Sequence, residues 1–141
     1  MPATTVAATA PEPIRSPFLV VLIAWLVPGA GHFLLGKRGR AALLFASVVL
    51  MFLLGVLMRG PLFELAVSPQ ADVLTKFIQR GGFVGDLAAG LPYLLASFFG
   101  YAPADSASHV ADYGAKLIVG AGLLNILAMV DAYEITMRQK D

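Results

Sequence analysis

The sequence predicts an all-α integral membrane protein with three to four hydrophobic segments. Two observations predict it: an excess of apolar residues, and their distribution in long runs. Of the 141 residues, 58% are hydrophobic and 13% are charged, whereas soluble domains average roughly 45–50% and 25%. The apolar runs approach the roughly 20 residues that a helix needs to cross a bilayer. The surplus apolar residues are therefore predicted to face lipid.

The same composition excludes several classes of function. A formal net charge of +1 is too small for a nucleic-acid-binding protein. The chain contains no cysteine, which removes thiolate metal sites, thiol catalysis and disulfides. It also lacks the zinc-protease, serine-hydrolase, P-loop and dinucleotide-binding motifs. We therefore expect no enzyme activity, no cofactor, no metal and no nucleic-acid partner.

The first membrane segment is predicted at residues 18–36, after a disordered tail at residues 1–16 that is rich in Ala, Thr and Pro. Pro28 removes a backbone donor and Gly29 removes side-chain bulk, so we expect a kink or an unwound turn there. Such a break survives in lipid only where neighbouring protein satisfies the freed backbone groups. A cleaved signal peptide is the alternative, but no basic region precedes the apolar run.

Three further apolar segments follow, at residues 41–58, 83–102 and 115–135. Segment 83–102 contains Gly85, Asp86, Gly90 and Pro92, so it is predicted to be re-entrant, interfacial or a fourth span beside three regular spans. Before it, residues 69–80 are predicted to form an amphipathic surface helix, begun by Ser68 and ended by Gly81 and Gly82. Residues 17–137 thus form one transmembrane domain, followed by a tail at 138–141.

A basic turn joins the first two segments and contains Lys37, Arg38 and Arg40. Short loops rich in Lys and Arg stay in the cytoplasm, and such a turn can also bind anionic lipid head groups. Because the C-terminal tail is basic as well, three crossings place both basic regions on one side, whereas four crossings separate them. Three spans plus one re-entrant or interfacial segment are therefore favoured, and four spans are the alternative.

The segment PGAGH at residues 28–32, followed by Phe33, Leu35 and Gly36, resembles the first span of two-transmembrane-helix (TM-two) domains. The stretch from Asn125 to Tyr133, with Asp131 inside it, resembles their second span. The chain looks even more like small uncharacterised bacterial membrane proteins that share the P-G-x-G-H motif. This resemblance covers the first two segments and the last one. It implies a polytopic protein of the bacterial inner membrane and no established activity.

Two ionisable residues stand out within the apolar segments. His32 follows the break and has a side chain suited to proton relay, although hydrogen bonding to carbonyls freed by the break is the favoured interpretation. A carboxylate within a membrane segment is usually buried and paired, and the position of Asp131 near the end of the last segment lowers the cost of placing it there. We expect Asp131 to form an internal ion pair with His32, Lys37 or Arg38 and so to lock the first turn to the last helix.

The last segment also carries a face of small residues around Asn125, with Gly31 and Gly36 as small residues of the first segment. Such faces are typical of packing between membrane helices, and this one is predicted to meet either the first segment or a second copy.

Asp105, His109 and Asp112 have the spacing of ligands on one helix face, but a solvated connecting helix is favoured because no fourth ligand is evident.

These features favour a non-enzymatic multi-pass membrane protein that acts through packing, as an accessory or structural subunit of a membrane assembly. The alternative is a small oligomeric transport or channel component, in which broken helices line a polar path. The expected partners are the lipid bilayer, with anionic lipids at the basic turn, and either other membrane subunits or further copies of the chain.

Overall fold

The computed structural model describes residues 16–103 and 108–138, and within these ranges every regular element is an α-helix. This confirms the predicted all-α fold. The helices are α1 (Pro17–Leu26), α2 (Ala30–Leu34), α3 (Arg38–Leu57), α4 (Val73–Ala88), α5 (Leu91–Phe98) and α6 (His109–Arg138). Of the predicted tails, 1–16 and 138–141, only Ser16 and Arg138 lie inside the described residues, and Arg138 is the last residue of α6.

Two long helices, α3 and α6, form the frame of the molecule. They contain 20 and 30 residues and are the two described helices that are individually long and apolar enough to cross a membrane. They run antiparallel, because Gly55 near the end of α3 lies against Gly114 near the start of α6, whereas Arg40 in the first turn of α3 contacts Asp131 near the end of α6. We call these the glycine end and the basic end.

Helix α6 is the central element, and α1, α3 and α4 all pack on it. Its buried positions are mostly small: Ala111, Gly114, Ala115, Ile118, Ala121, Gly122, Asn125, Ala128, Ala132 and Thr136. Small side chains let helix backbones approach closely, and this is the usual way in which membrane helices associate. The small-residue face predicted from the sequence is therefore used within the chain.

The first predicted segment, 18–36, is divided into two helices by a turn at Val27, Pro28 and Gly29. Gly29 has φ +80°, and a Cβ there would collide with the carbonyl oxygen of Ala41. Helix α1 is ten residues long, about 15 Å at 1.5 Å per residue, and it ends beside the middle of α6. Helix α2 then turns back towards the basic end. The predicted break is present, and it reverses the chain.

In the middle of the chain, the helix boundaries of the structure differ from those predicted from the sequence. Helix α4 runs through Gly81 and Gly82 without a stop, so the predicted surface helix 69–80 and the start of segment 83–102 belong to one helix. The physical reason is packing: Gly82 is buried against the ring of Phe63, and Gly85 against Val119. These glycines permit close approach, and the helix continues beyond them.

The start of α4 also differs from the prediction, because Asp72 and not Ser68 is the N-cap. The carboxylate of Asp72 accepts hydrogen bonds from the hydroxyl and the backbone N–H of Thr75. Both hydrogen bonds lower the pKa of this carboxyl below its usual value, and the bond from the hydroxyl has the larger effect. The side chain of Lys76 donates to the carbonyl oxygen of Pro69 at 3.1 Å, which ties the first turn of α4 to the chain before it.

Helices α4 and α5 form a second reversing pair, bent by 105°. The bend lies at Ala89 and Gly90, where Gly90 has φ +73°. After it the chain returns to the glycine end: the hydroxyl of Tyr101 lies 3.2 Å from the carbonyl oxygen of Val56, in the last turn of α3, and 3.0 Å from that of Gly60, just after the helix. Two broken pairs thus enter from opposite ends and meet beside the middle of α6.

Close backbone contact between α4 and α6 makes a specific prediction for Gly122. A Cβ at this position would overlap the carbonyl oxygen of Gly85, whereas a Cβ at Gly120 would meet only the flexible end of Met51 at 3.0 Å. We expect Gly122→Ala to lower the free energy of unfolding by about 1–3 kcal/mol through overpacking. Gly120→Ala is the matched control and should be nearly neutral. Thermal unfolding in detergent, followed through the fluorescence of the single tryptophan, Trp25, measures both, and equal losses would contradict the packing described.

Candidate functional site

Two polar clusters join helices inside the protein, and both include a residue of α6. The first lies at the basic end and joins α2, α3 and α6 through His32, Arg40 and Asp131. The second lies about 9 Å further along α6, six residues from Asp131 at 1.5 Å per residue, and joins α1, α4 and α6 through Asn125. Between them they contain four of the residues singled out in the sequence: His32, Arg40, Asn125 and Asp131.

His32 is fully buried, although it lies in a short helix near the end of the molecule. The turn at Gly29 reverses the chain, and Gly31 fits closely against Ala24 and Ala132, which presses α2 onto α6. The Nε2 atom of His32 then lies 2.8 Å from Oδ2 of Asp131. Because an ionised carboxylate only accepts, Nε2 carries the hydrogen and donates it.

Asp131 is half-buried and receives a second hydrogen bond at the same oxygen, from Nη1 of Arg40 at 3.2 Å. This arrangement closes the first turn onto the last helix, the role expected for Asp131. The partners differ in part from those expected: His32 is present, but Arg40 takes the place of Lys37 or Arg38. The guanidinium of Arg38 lies instead 5.8 Å from the centre of the Phe33 ring.

Helix periodicity explains why Arg40, and not Arg38, reaches Asp131. Arg38 and Arg40 are two residues apart, about 200° around a helix of 3.6 residues per turn, so they flank the buried face of α3 from opposite sides. Arg40 is on the side that meets Asp131, whereas Arg38 is on the side of Ala42 and Phe45, which are exposed. The segment predicted from the sequence starts at residue 41 and so leaves Arg40 outside the helix. For that reason the sequence did not predict Arg40 as a partner of Asp131.

Asn125 is the centre of the second cluster and is fully buried. Its Nδ2 atom donates to the carbonyl oxygen of Trp25 at 3.2 Å and to that of Ala88 at 2.9 Å. Each acceptor lies in the last turn of a helix, α1 or α4, where carbonyl groups have no partner within the helix. The indole of Trp25 donates to Leu87 O at 3.0 Å in the same way. Side-chain donors therefore cap both helix ends inside the protein.

A third polar residue, Asp86, was noted in the sequence only as an interruption of segment 83–102. It is fully buried, and its Oδ2 atom accepts the backbone N–H of Phe63 at 2.7 Å. It therefore fastens the chain that leaves α3 to the buried face of α4. The available signal in the sequence was a carboxyl group between Gly85 and Gly90 in an apolar segment. Ionisable groups in membrane segments are usually paired or functional.

The remaining predicted positions have simpler surroundings. Lys37 and Gly36 are exposed at the basic end. His109 and Asp112 are exposed in the first turn of α6, and Asp105 lies outside the described residues. Within the part of the chain that the structure describes, no group of three His, Cys, Asp or Glu residues could hold a metal ion.

Fold and site together define a class: a small all-helical protein with two helices of membrane-spanning length, held by polar side chains between its helices. The comparison with protein families agrees with an uncharacterised domain. The family of unknown function DUF6677 matches residues 19–141, and the chain belongs to this family. Comparisons with curated proteins and with solved structures found no match.

A charge exchange tests the contact between Arg40 and Asp131. We expect Arg40→Asp and Asp131→Arg each to destabilise the protein, because each places like charges together. The double variant should recover about 0.5–1 kcal/mol, the size of a partly exposed ion pair, while His32 remains without its acceptor. The control is Arg38→Asp combined with Asp131→Arg, which should recover nothing. Chemical unfolding in detergent measures the four variants, and equal recovery in both double variants would contradict the pairing.

Proposed function

We propose that the protein is an integral, multi-pass membrane protein, as a member of a bacterial inner-membrane family would be. The support is the outward surface of the long helices. Large apolar side chains are exposed along the whole of α3 and α6, among them Leu43, Leu50, Leu57, Leu123 and Leu127. Leu57 is 77% exposed and Leu127 is 65% exposed. A soluble monomer rarely exposes apolar surface on this scale, whereas a bilayer surrounds it with lipid.

The proposed topology has two full crossings, by α3 and α6. The pairs α1–α2 and α4–α5 each enter halfway and return to the side from which they came. Contacts support this for both pairs: α2 returns to Asp131 at the basic end, and Tyr101 returns to Gly60 at the glycine end. The basic end, with Lys37, Arg38 and Arg40, then lies on the cytoplasmic side. This count is one fewer than the three spans expected from the sequence.

We propose an accessory or structural role within a membrane assembly, without enzymatic activity. One observation carries the proposal: the buried polar side chains form hydrogen bonds that hold helices together. His32, Asn125 and Asp86 each bond to another element of the fold. The larger clefts on α1, α3 and α6 are apolar and open sideways, as at Phe18 and Val130. These are properties of a packing unit whose outer faces meet lipid or other membrane proteins.

A transport component is the second candidate, and a different observation favours it. Helices α1 and α4 end beside Asn125 near the middle of α6, and broken helices that meet at mid-depth are a feature of transporters. Two long helices are too few to enclose a path, so this candidate requires several copies of the chain. The accessory role requires no second copy.

The mass of the native complex separates the two roles. The protein is extracted from its native membrane with its surrounding lipid by a polymer and then weighed by native mass spectrometry. A complex of fixed stoichiometry with a different membrane protein is the expected result. A symmetric assembly of this chain alone would favour transport. A monomer would contradict both candidates. Extraction at two expression levels is the control, because a specific complex keeps its stoichiometry and a crowding artefact does not.

A further inference from the structure

We infer that the protein has a binding site for one anionic phospholipid, in an apolar trough along α3. The trough starts at the turn between α1 and α2 and continues to α5. Two adjoining clefts form it, and they share Pro28 and Phe45. The inference relies on the membrane embedding proposed above and is independent of the accessory role.

The break in the first segment creates the trough. Helix α1 packs on α6 and stops at Leu26, and α2 turns back, so the first segment does not continue along α3 beyond the turn. The face of α3 beyond the turn is left without a helical neighbour until α5 reaches it. Residues from Arg38 to Val56 line this strip, which is about 27 Å long at 1.5 Å per residue. That length is close to the roughly 30 Å thickness of the hydrocarbon core.

Charge is present only at the basic end of the trough. Arg38 is the single charged residue that lines it, and its guanidinium lies over the ring of Phe33. Among the described residues, Arg40 and Arg138 contact carboxylates, whereas Arg38 has no such contact. A cation at one end of a long apolar surface is complementary to an amphiphile with an anionic head and an acyl chain.

A helix of a partner protein is a poorer fit to the same surface. Membrane helices associate through small residues, and those of α6 are already used inside the fold. Beyond Ala41 and Ala42, α3 lines the trough with large side chains, including Phe45, Phe52 and Leu53. Flexible acyl chains adapt to such an irregular surface. The occupant is therefore assigned as lipid, bound by its phosphate to Arg38 and by one chain along α3.

Native mass spectrometry of the full chain in mild detergent tests the site with added phosphatidylglycerol. We expect one retained lipid, weak retention of phosphatidylcholine and no binding of glycerol 3-phosphate, which has the same anionic group without acyl chains. Arg38→Gln should weaken phosphatidylglycerol binding about fivefold, the effect of one basic residue. Arg138→Gln is the matched control: it removes an exposed arginine at the same end that does not line the trough, and it should leave binding unchanged.

A second pair of variants tests the acyl-chain contact. Ala42→Trp fills the trough, and Leu43→Trp introduces the same side chain at a neighbouring exposed position that does not line it. We expect only Ala42→Trp to reduce lipid binding, with both variants folded as judged by their unfolding midpoints. Binding that survives Ala42→Trp, equal losses for both arginine variants, or equal binding of glycerol 3-phosphate would overturn the inference. A dimer of the chain that Ala42→Trp abolishes would also overturn it, because the trough would then hold a second copy.

Discussion

The fold depends on one amide, the side chain of Asn125, because two helices end next to it in the interior of the protein. Each helix end leaves carbonyl groups without partners, and in a bilayer no water is available to satisfy them. Leaving a buried acceptor unsatisfied costs about 1–3 kcal/mol. Asn125 donates to one carbonyl from α1 and one from α4, and Trp25 donates to another. With these donors, a chain with two long helices can hold two broken helix pairs against its central helix.

Close packing is the second requirement of this arrangement, since the amide reaches both carbonyls only if three helices nearly touch. Gly122 faces the backbone of Gly85, and Gly90 faces the carbonyl oxygen of Trp25. At the basic end, the contact of His32 and Arg40 with Asp131 fixes the returning helix α2 in the same way. The polar residues of the interior therefore hold the helices together, while large apolar side chains remain exposed on the outer faces of α3 and α6.

Much of this could be predicted from the sequence, and the misses have physical causes. The break at Pro28, a packing face around Asn125, a pairing of Asp131 with the first turn, and the long apolar helices follow from residue chemistry alone. The bonds of Asn125 to two helix ends do not, because they depend on where α1 and α4 stop. The direction of the chain after each break cannot be predicted in this way, because a kinked span and a reversing helix pair have the same amino-acid composition. Gly81 and Gly82 have the pattern of a helix stop, and only the packing against Phe63 shows that the helix continues.

The most direct test of the account is the side of the membrane on which each connection lies. Because the chain has no cysteine, single replacements at the exposed positions Ser16, Gly39, Ala66 and Ser108 can be labelled in sealed vesicles with an impermeant maleimide. Reversal of both broken pairs predicts that Ser16→Cys and Gly39→Cys react from one side, and Ala66→Cys and Ser108→Cys from the other. Labelling of positions 16 and 39, or of 66 and 108, from opposite sides would show that the intervening pair crosses the membrane and would contradict the account.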